Sequence, residues 1–556
     1  MEKIWLASYP SGVPADIDVD ALGNIGDYFS AAALRYADRP AFISGSTGVR
    51  LSFAELDEQS QHFAAYLQSV VKLPRGSRVA LMMPNLLQYP VCLFGLLRAG
   101  YVVVNVNPMY TARELEHQLV DSGAEAIVLV DMFAHTLEKI LHNTAIRQVL
   151  VTGLADMLPW PKRVLGHFVI RQVKKLIPAY HLPGSVAWRT AMAAGAQATL
   201  VPVNVLPGEL AFLQYTGGTT GVSKGAMLTH ANILANIEQI DLWGAALLTP
   251  DEELLSITAI PLYHIFALSS CIGMLGVGAT NVLISDPRNI DAFVKVLRRY
   301  PFASMPSVNT LFNSLVNHPD FAGLDFSQLR FAVGGGAAVQ RAVAERWQQI
   351  TGKPLVEGYG LTECSPTVTV NPFDLKEYNG SIGLPLPSTE ISIRDEQGQE
   401  VGLHQPGELC VRGPQVMQGY WNQPQETAGV MTADGFLRTG DIATMNELGY
   451  LQLVDRRKDM ILVSGFNVFP NEIEQVIMLH PEVLEVAAVS QPDAKTGEAV
   501  KIFVVKKSAA LTEASLISFC RENLTGYKIP RQIVFMDELP KSNVGKILRR
   551  ELRERV

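Results

Sequence analysis

Tyr215-Thr216-Gly217-Gly218-Thr219-Thr220-Gly221-Val222-Ser223-Lys224-Gly225 follows the apolar run Leu210 to Leu213, so the chain leaves a buried strand and enters a loop of glycines and hydroxyl residues. The glycines let backbone N–H groups turn toward one point, Thr216, Thr219 and Thr220 add hydroxyl donors, and Lys224 adds positive charge. Such a loop cradles phosphate oxygens. It departs from the P-loop pattern G-x-x-x-x-G-K-[ST], because Ser223 precedes the lysine and Gly225 follows it. Alone, a loop of this composition is as often a flexible connection, so its meaning rests on its company.

Upstream, helix and strand signals alternate. Ser52-x-x-Glu55 is a capping box opening a helix with Leu56, Phe63, Leu67 and Val70 on one face. Arg78 to Met83 then reads as a strand, Val91 to Ala99 as a helix and Tyr101 to Val104 as a strand. A second capping box at Thr111-x-x-Glu114 and the strand Ala126 to Val130 continue the series. This alternation predicts an α/β fold with helix-flanked parallel sheets. Residues 455–556 carry 16 Lys+Arg against 14 Asp+Glu in a chain of net charge −8. The shift marks a small α+β C-terminal domain from near Asp455, with short strands at Val486 to Val489 and Lys501 to Val505, after a large N-terminal domain of residues 1–454.

Composition excludes several classes. With 556 residues, 48% hydrophobic and 18% charged, the chain is neither a short binding module nor disordered, and its acidity excludes a globally basic nucleic-acid binder. Five scattered cysteines without a C-x-x-C pair give no disulfide framework and suit a reducing compartment. The N-terminus lacks a secretory signal, and the uncharged stretches Val79 to Leu97 and Leu254 to Ser285 read as buried pieces rather than spans. The expected location is the cytoplasm. From Met157 to Gly208 there is no acid, but Lys162, Arg163, Arg171, Lys174, Lys175 and Arg189 all occur. Leu165, Phe168, Val169, Val173 and Leu176 recur there at near-helical spacing, which predicts either a basic amphipathic helix at the cytoplasmic membrane face or a surface helix with a solvated basic side.

Three further motifs accompany the glycine loop. Gly334-Gly335-Gly336-Ala337 offers close backbone approach to a planar ligand. Gly358-Tyr359-Gly360-Leu361-Thr362-Glu363 brings an aromatic able to stack on a base and a carboxylate able to hold Mg²⁺. Thr439-Gly440-Asp441 supplies an acceptor for ribose hydroxyls.

Together and in this order, with Pro261-Leu262-Tyr263-His264, Asp455 to Glu474 and Pro540 to Lys546, these residues resemble the adenylate-forming superfamily of acyl-CoA synthetases, luciferases and peptide-synthetase adenylation domains. The stretches Asp434 to Asp441 and Val454 to Ile461 resemble the signature of fatty acyl-CoA synthetases, with Phe436 where Trp is usual, and from Trp5 to Glu554 the chain is similar to bacterial long-chain fatty-acid–CoA ligases. The resemblance implies that ATP is held by Tyr215, Thr216, Gly217, Gly218, Thr219, Thr220, Gly221, Lys224, Gly334, Gly335, Gly336, Tyr359, Gly360, Thr362, Asp441 and Arg456. It implies Mg²⁺ on Thr216 and Glu363, a catalytic Lys546, His264 facing the acyl carboxylate, a hinge at Lys458 and passage of CoA past Ser464 and Gly465. Ile265 stands where amino-acid-activating relatives carry an Asp, so a substrate without an α-amine is implied. The implied reaction joins a long-chain fatty acid to CoA with ATP, for β-oxidation. A fatty acyl-AMP ligase and a medium-chain synthetase are the alternatives. A homodimer is compatible with the sequence.

Overall fold

The computed structural model describes residues 2–216, 223–247, 252–456, 458–464, 466–493 and 495–555. The fold is α/β, with a large N-terminal part and a small C-terminal one. Both capping boxes form: Ser52 and Thr111 accept from the N–H of Glu55 and Glu114, and each glutamate returns a bond to the capping residue. The strand Ala126–Val130 is buried along its whole length, as a strand covered by helices on both faces must be.

Among the described residues, one sheet orders seven strands as Val186–Ala187, Gln148–Thr152, Ala126–Val130, Arg78–Met82, Val102–Asn105, Leu210–Thr216 and Lys224–Thr229. It is parallel except for the last pair, the hairpin that carries the glycine loop. A second sheet of nine strands holds Ser304–Ser307, Phe331–Gly334 and Leu355–Gly360 side by side and parallel. The main apolar core joins the two sheets through the helices Phe53–Ala65, Gln88–Arg98 and Ile265–Gly276.

A four-stranded antiparallel sheet follows, ending in Leu437–Met445 and Leu451–Arg456. Asp455 therefore lies on the last strand of that sheet, yet its Oδ2 accepts from Asn471 N at 2.8 Å in the next module. That module packs the helices Pro470–Ile477 and Glu513–Asn523 on a sheet whose core is the hairpin Val483–Asp493 with Gly497–Lys506. These strands are much longer than the runs Val486 to Val489 and Lys501 to Val505 suggested, because polar residues such as Glu485 and Glu498 continue the ladder.

Candidate active site

Strand ends deliver the site. A cavity of about 2070 Å³ opens over the carboxyl ends of both large sheets and is closed by the C-terminal turn around Lys546, which is where α/β sheets bind ligands. Thr216 ends one strand and Lys224 begins its partner, in register with each other. The expected phosphate residues Gly217, Gly218, Thr219, Thr220 and Gly221 lie outside the described residues.

Tyr215 borders the cavity and is also tied into the core. Its hydroxyl donates to Asp121 Oδ2 at 2.5 Å, and its ring belongs to the core beneath the seven-stranded sheet. Its side chain thus anchors the base of the loop. Lys224 pairs with Glu426, and its Nζ lies 5.2 Å from the centre of the Tyr420 ring. Tyr420 in turn donates to Glu363 Oε1 at 2.7 Å, so these four side chains form one network next to Thr216.

Glu363 sits on the single turn Thr362–Cys364 after the strand Leu355–Gly360. Gly360 is required by its own turn, since a Cβ would strike the Pro366 carbonyl. On the same strand, Tyr359 donates to Asp441 Oδ2 at 2.6 Å, while Asp441 Oδ1 lies 3.3 Å from Arg456 Nε. Asp441 and Arg456 face each other in register, so both carboxylate oxygens are oriented by protein groups. Burial and the Asp441 charge push the Tyr359 hydroxyl well above its usual range, which keeps it a donor.

The three glycines separate by role. A Cβ on Gly334 would run into Val339, and Gly334 does not line the cavity. A Cβ on Gly335 would lie 3.0 Å from the Phe266 ring, whereas Gly336, with φ +75°, has its nearest neighbour at 3.7 Å and borders the cavity. Packing explains Gly334; Gly335 also borders the cavity, and Gly336 offers the more open backbone.

His264 caps the helix Ile265–Gly276, its Nδ1 accepting from Phe266 N at 3.4 Å. Burial and the nearby Lys546 charge hold its pKa down at about 4. It is therefore neutral at pH 7 with the proton on Nε2, a donor suited to a carboxylate oxygen.

Lys546 reaches the cavity on the turn Ser542 to Lys546, closed by Ser542 N to Lys546 O at 2.7 Å. The turn is docked on the N-terminal part by three bonds. Asn543 donates to Asn107 Oδ1 at 2.9 Å, Arg288 donates to Asn543 Oδ1 at 2.8 Å, and Thr310 donates to the Gly545 carbonyl at 2.9 Å. Lys546 Nζ makes no ion pair or hydrogen bond among the described residues. Burial and the charges of Arg456 and Lys458 bring its pKa down to about 8, against the opposing pull of Asp441 and Glu363. Lys458 also borders the cavity and is lowered to about 8 by burial and by Arg456.

Not every expected residue meets here. Ser464, with φ +52°, is held by its N–H to Thr496 O at 2.8 Å and is outside the cavity lining, and Gly465 lies outside the described residues. Sequence reasoning missed the docking residues Asn107, Arg288 and Thr310, and two cavity carboxyls, Glu357 and Asp241. Glu357 accepts from Val339 N at 2.9 Å, and burial raises it to about 8. It fixes the Gly334 to Val339 loop. Its only sequence signal was a charge inside the apolar strand Leu355–Gly360.

The sequence matches the AMP-binding enzyme family over residues 29–421 and the AMP-binding enzyme C-terminal domain over residues 472–546. It is 57% identical to a long-chain-fatty-acid–CoA ligase of Escherichia coli O157:H7, covering 100% of this chain and 98% of the relative. It is 36% identical to a long-chain-fatty-acid–CoA ligase of Bacillus subtilis over the same shares. Among solved structures, ATP-bound MatB from Rhodopseudomonas palustris is 27% identical with a TM-score of 0.77, covering 96% of this chain and 99% of that one. The anthranilate CoA ligase AuaEII with anthranoyl-AMP shares the fold at 23% identity and a TM-score of 0.85, covering 97% and 99%. With both domains matched and full-length identity above one half, the chain belongs to the AMP-binding enzyme family, beside its long-chain-fatty-acid–CoA ligases.

Proposed function

We propose that this protein is an AMP-forming long-chain-fatty-acid–CoA ligase. The fatty carboxylate attacks the α-phosphorus of ATP and expels pyrophosphate, giving an acyl-adenylate. The CoA thiolate then attacks the acyl carbon and expels AMP. The observation that carries this reading is Lys546, which makes no ion pair among the described residues and stands in the cavity that also holds His264, the Tyr359–Asp441–Arg456 set and an apolar arm. Two anions must approach in the first step, and an ammonium between them lowers the barrier. His264 Nε2 orients the carboxylate, and the Asp441 carboxylate accepts from the ribose.

Mg²⁺ fits the acidic side of the cavity. Tyr420 occupies Glu363 Oε1, and Oε2 has no hydrogen bond among the described residues. A single carboxylate with a nearby hydroxyl suffices for an ion that takes its other ligands from phosphates and water. Glu363 and Thr216 would hold it, and it would offset phosphate charge.

The thiolate needs space that Lys546 fills. The module after Arg456 therefore turns about Lys458, withdrawing Lys546 and bringing Ser464 and Gly465 to the cavity. That Ser464 stands outside the cavity lining while Lys546 stands within it supports this reading.

The fatty substrate partitions into membranes, and the basic segment supplies a place to meet it. No helix among the described residues is long and apolar enough to cross a membrane. Trp160, Phe168 and Val173 on and beside the helix Lys162–Phe168 are 72%, 57% and 64% exposed. Arg171 also reaches back to Asp131 Oδ2 at 3.4 Å while its side chain stays 54% exposed. The exposed Lys162, Lys174 and Lys175 alone are worth about 3 kcal/mol together at an anionic surface. The enzyme acts there as a peripheral protein of the cytoplasmic face, supplying β-oxidation.

Incubation with oleate, ATP, Mg²⁺ and CoA should release AMP and oleoyl-CoA only when the fatty acid is present. ADP release, or AMP release indifferent to oleate, would refute the reaction. Cosedimentation with anionic vesicles at low salt should be lost on changing Lys162, Lys174 and Lys175 to Glu; unchanged binding would refute the docking face.

A further inference from the structure

The apolar arm of the cavity lies between two helices. His230–Gly244 presents Ile237, Ile240, Asp241 and Gly244 to it, and Ile265–Gly276 presents Phe266, Ser269, Ser270, Gly273 and Met274. Spacing of three and four residues makes each set one helical face. Asp241 is the one acid on either face. A Cβ at Gly273 would lie 3.5 Å from Ile237 Cγ2 and 3.7 Å from Asp241 Oδ1, so the helices meet there with the carboxyl at the seam. Tyr28, from the helix Ile25–Arg35, turns its hydroxyl to Asp241, and a Cβ at Gly276 would strike that same hydroxyl.

The position of this acid along the arm follows from helix geometry. His264, at the reacting end, and Gly273, beside Asp241, are nine residues apart on one helix, roughly 14 Å at about 1.5 Å per residue. An extended alkyl chain with bonds of about 1.5 Å advances about 1.3 Å per carbon, so some eleven carbons cover that distance. A chain of eight carbons ends short of Asp241, one of twelve ends against it, and a longer one must pass it.

Resting on the ligase reading above, we propose that Asp241 is a specificity-determining residue of the acyl arm, one that accepts acyl chains bearing a terminal hydroxyl near the twelfth carbon. An aliphatic wall would leave such a hydroxyl without a partner, which is costly inside a protein. A carboxyl at the seam can both accept from and donate to it. The groups facing Asp241 are the Tyr28 hydroxyl and the Glu238 carboxylate, and no cation pairs with it among the described residues. Burial first, and Glu238 second, push its pKa up to about 8. It is therefore neutral at pH 7 and becomes an anion as pH rises through 8, at which point an alkyl terminus lying against it is penalised.

The test compares kcat/KM for octanoate, dodecanoate and 12-hydroxydodecanoate in the full-length enzyme and in Asp241→Leu and Asp241→Asn, with thermal melts of each. In the wild type, 12-hydroxydodecanoate should be used within about threefold of dodecanoate, and Asp241→Leu should lower that ratio at least about fivefold, the size of one lost hydrogen bond. The ratio of dodecanoate to octanoate should fall roughly tenfold between pH 7 and pH 9 in the wild type, as one group titrating near 8 requires, and stay flat in Asp241→Asn. Taking a ratio cancels Lys546 and Lys458, which act on both acids alike. An unchanged hydroxy-acid ratio in a folded Asp241→Leu, or the same pH dependence in Asp241→Asn, overturns the inference while leaving the ligase reading intact. AMP release with no acid at all would overturn both.

Discussion

On the proposed mechanism, replacing Lys546 by alanine should separate the two half-reactions, and the size of the effect can be worked from its surroundings. Holding the ammonium at about 8 rather than 10.5 means that the unliganded site disfavours its charged form by roughly 3 kcal/mol. The causes are burial first and the cations Arg456 and Lys458 second. In the proposed first step triphosphate and carboxylate would bring negative charge to that same point, stabilising the ammonium as they converge. Deleting one preorganised charge of this kind slows the chemical step by about 10² to 10³. The assay is single-turnover pyrophosphate release with oleate and Mg-ATP, run beside thioester formation from supplied oleoyl-adenylate and CoA. Adenylation should fall by that factor and thioester formation by less than about threefold, a difference large against ordinary uncertainty in mutational effects. The active form is the protonated one, present below the folded pKa and lost above it, so kcat/KM for adenylation should decline as pH rises through about 8. Lys458 titrates in the same window. Lys546→Arg therefore assigns the decline: it should remove the step near 8 even if it turns over more slowly. Equal loss of both half-reactions in a variant with a native melt would refute the reasoning.

Asp441→Asn leaves Arg456 without its carboxylate partner and weakens the acceptor for ribose, so KM for ATP should rise about tenfold with a smaller change in kcat, measured by initial rates at saturating oleate. Thr310→Val removes the donor to the Gly545 carbonyl and should slow adenylation about fivefold while sparing thioester formation, since that bond docks only the Lys546 turn. Gly360→Ala drives a Cβ into the Pro366 carbonyl and should destabilise the protein by about 1 to 3 kcal/mol, read as a melting temperature several degrees lower.

Local signals in the sequence carried the sheets well. Reciprocal capping pairs at Ser52 and Thr111 depend on four consecutive residues, and both form as read. The apolar run Ala126 to Val130 is the observed strand without adjustment. The hairpin of the C-terminal module was legible only in its apolar middle, because its ends pair through backbone bonds that ask nothing of side-chain polarity. Tyr359, Asp441 and Arg456 were expected as a nucleotide set from the family resemblance, yet that the Asp441 carboxylate meets Tyr359 across 82 residues of chain, and Arg456 on the facing strand, was not legible. The same holds for Asn543, which bonds residues 255 and 436 positions away. No periodicity or spacing encodes such pairs.

That limit bears on what the docked turn does. The three bonds holding it, one exposed and two part-buried, join neutral or singly charged groups, and each is worth about 1 kcal/mol net. Together they are of the same size as the roughly 3 kcal/mol by which the unliganded site disfavours a charged Lys546. Docking and charge burial therefore nearly offset one another before substrates bind. On the proposed mechanism, a contact so balanced is tipped toward docking by the incoming phosphate and carboxylate and released when pyrophosphate departs, since most of the triphosphate charge leaves with it and the carboxylate has been neutralised in the acyl-adenylate. On that proposal, the alternation required by two successive half-reactions would follow from the charge of the ligands, with no separate signal needed to drive the small module away.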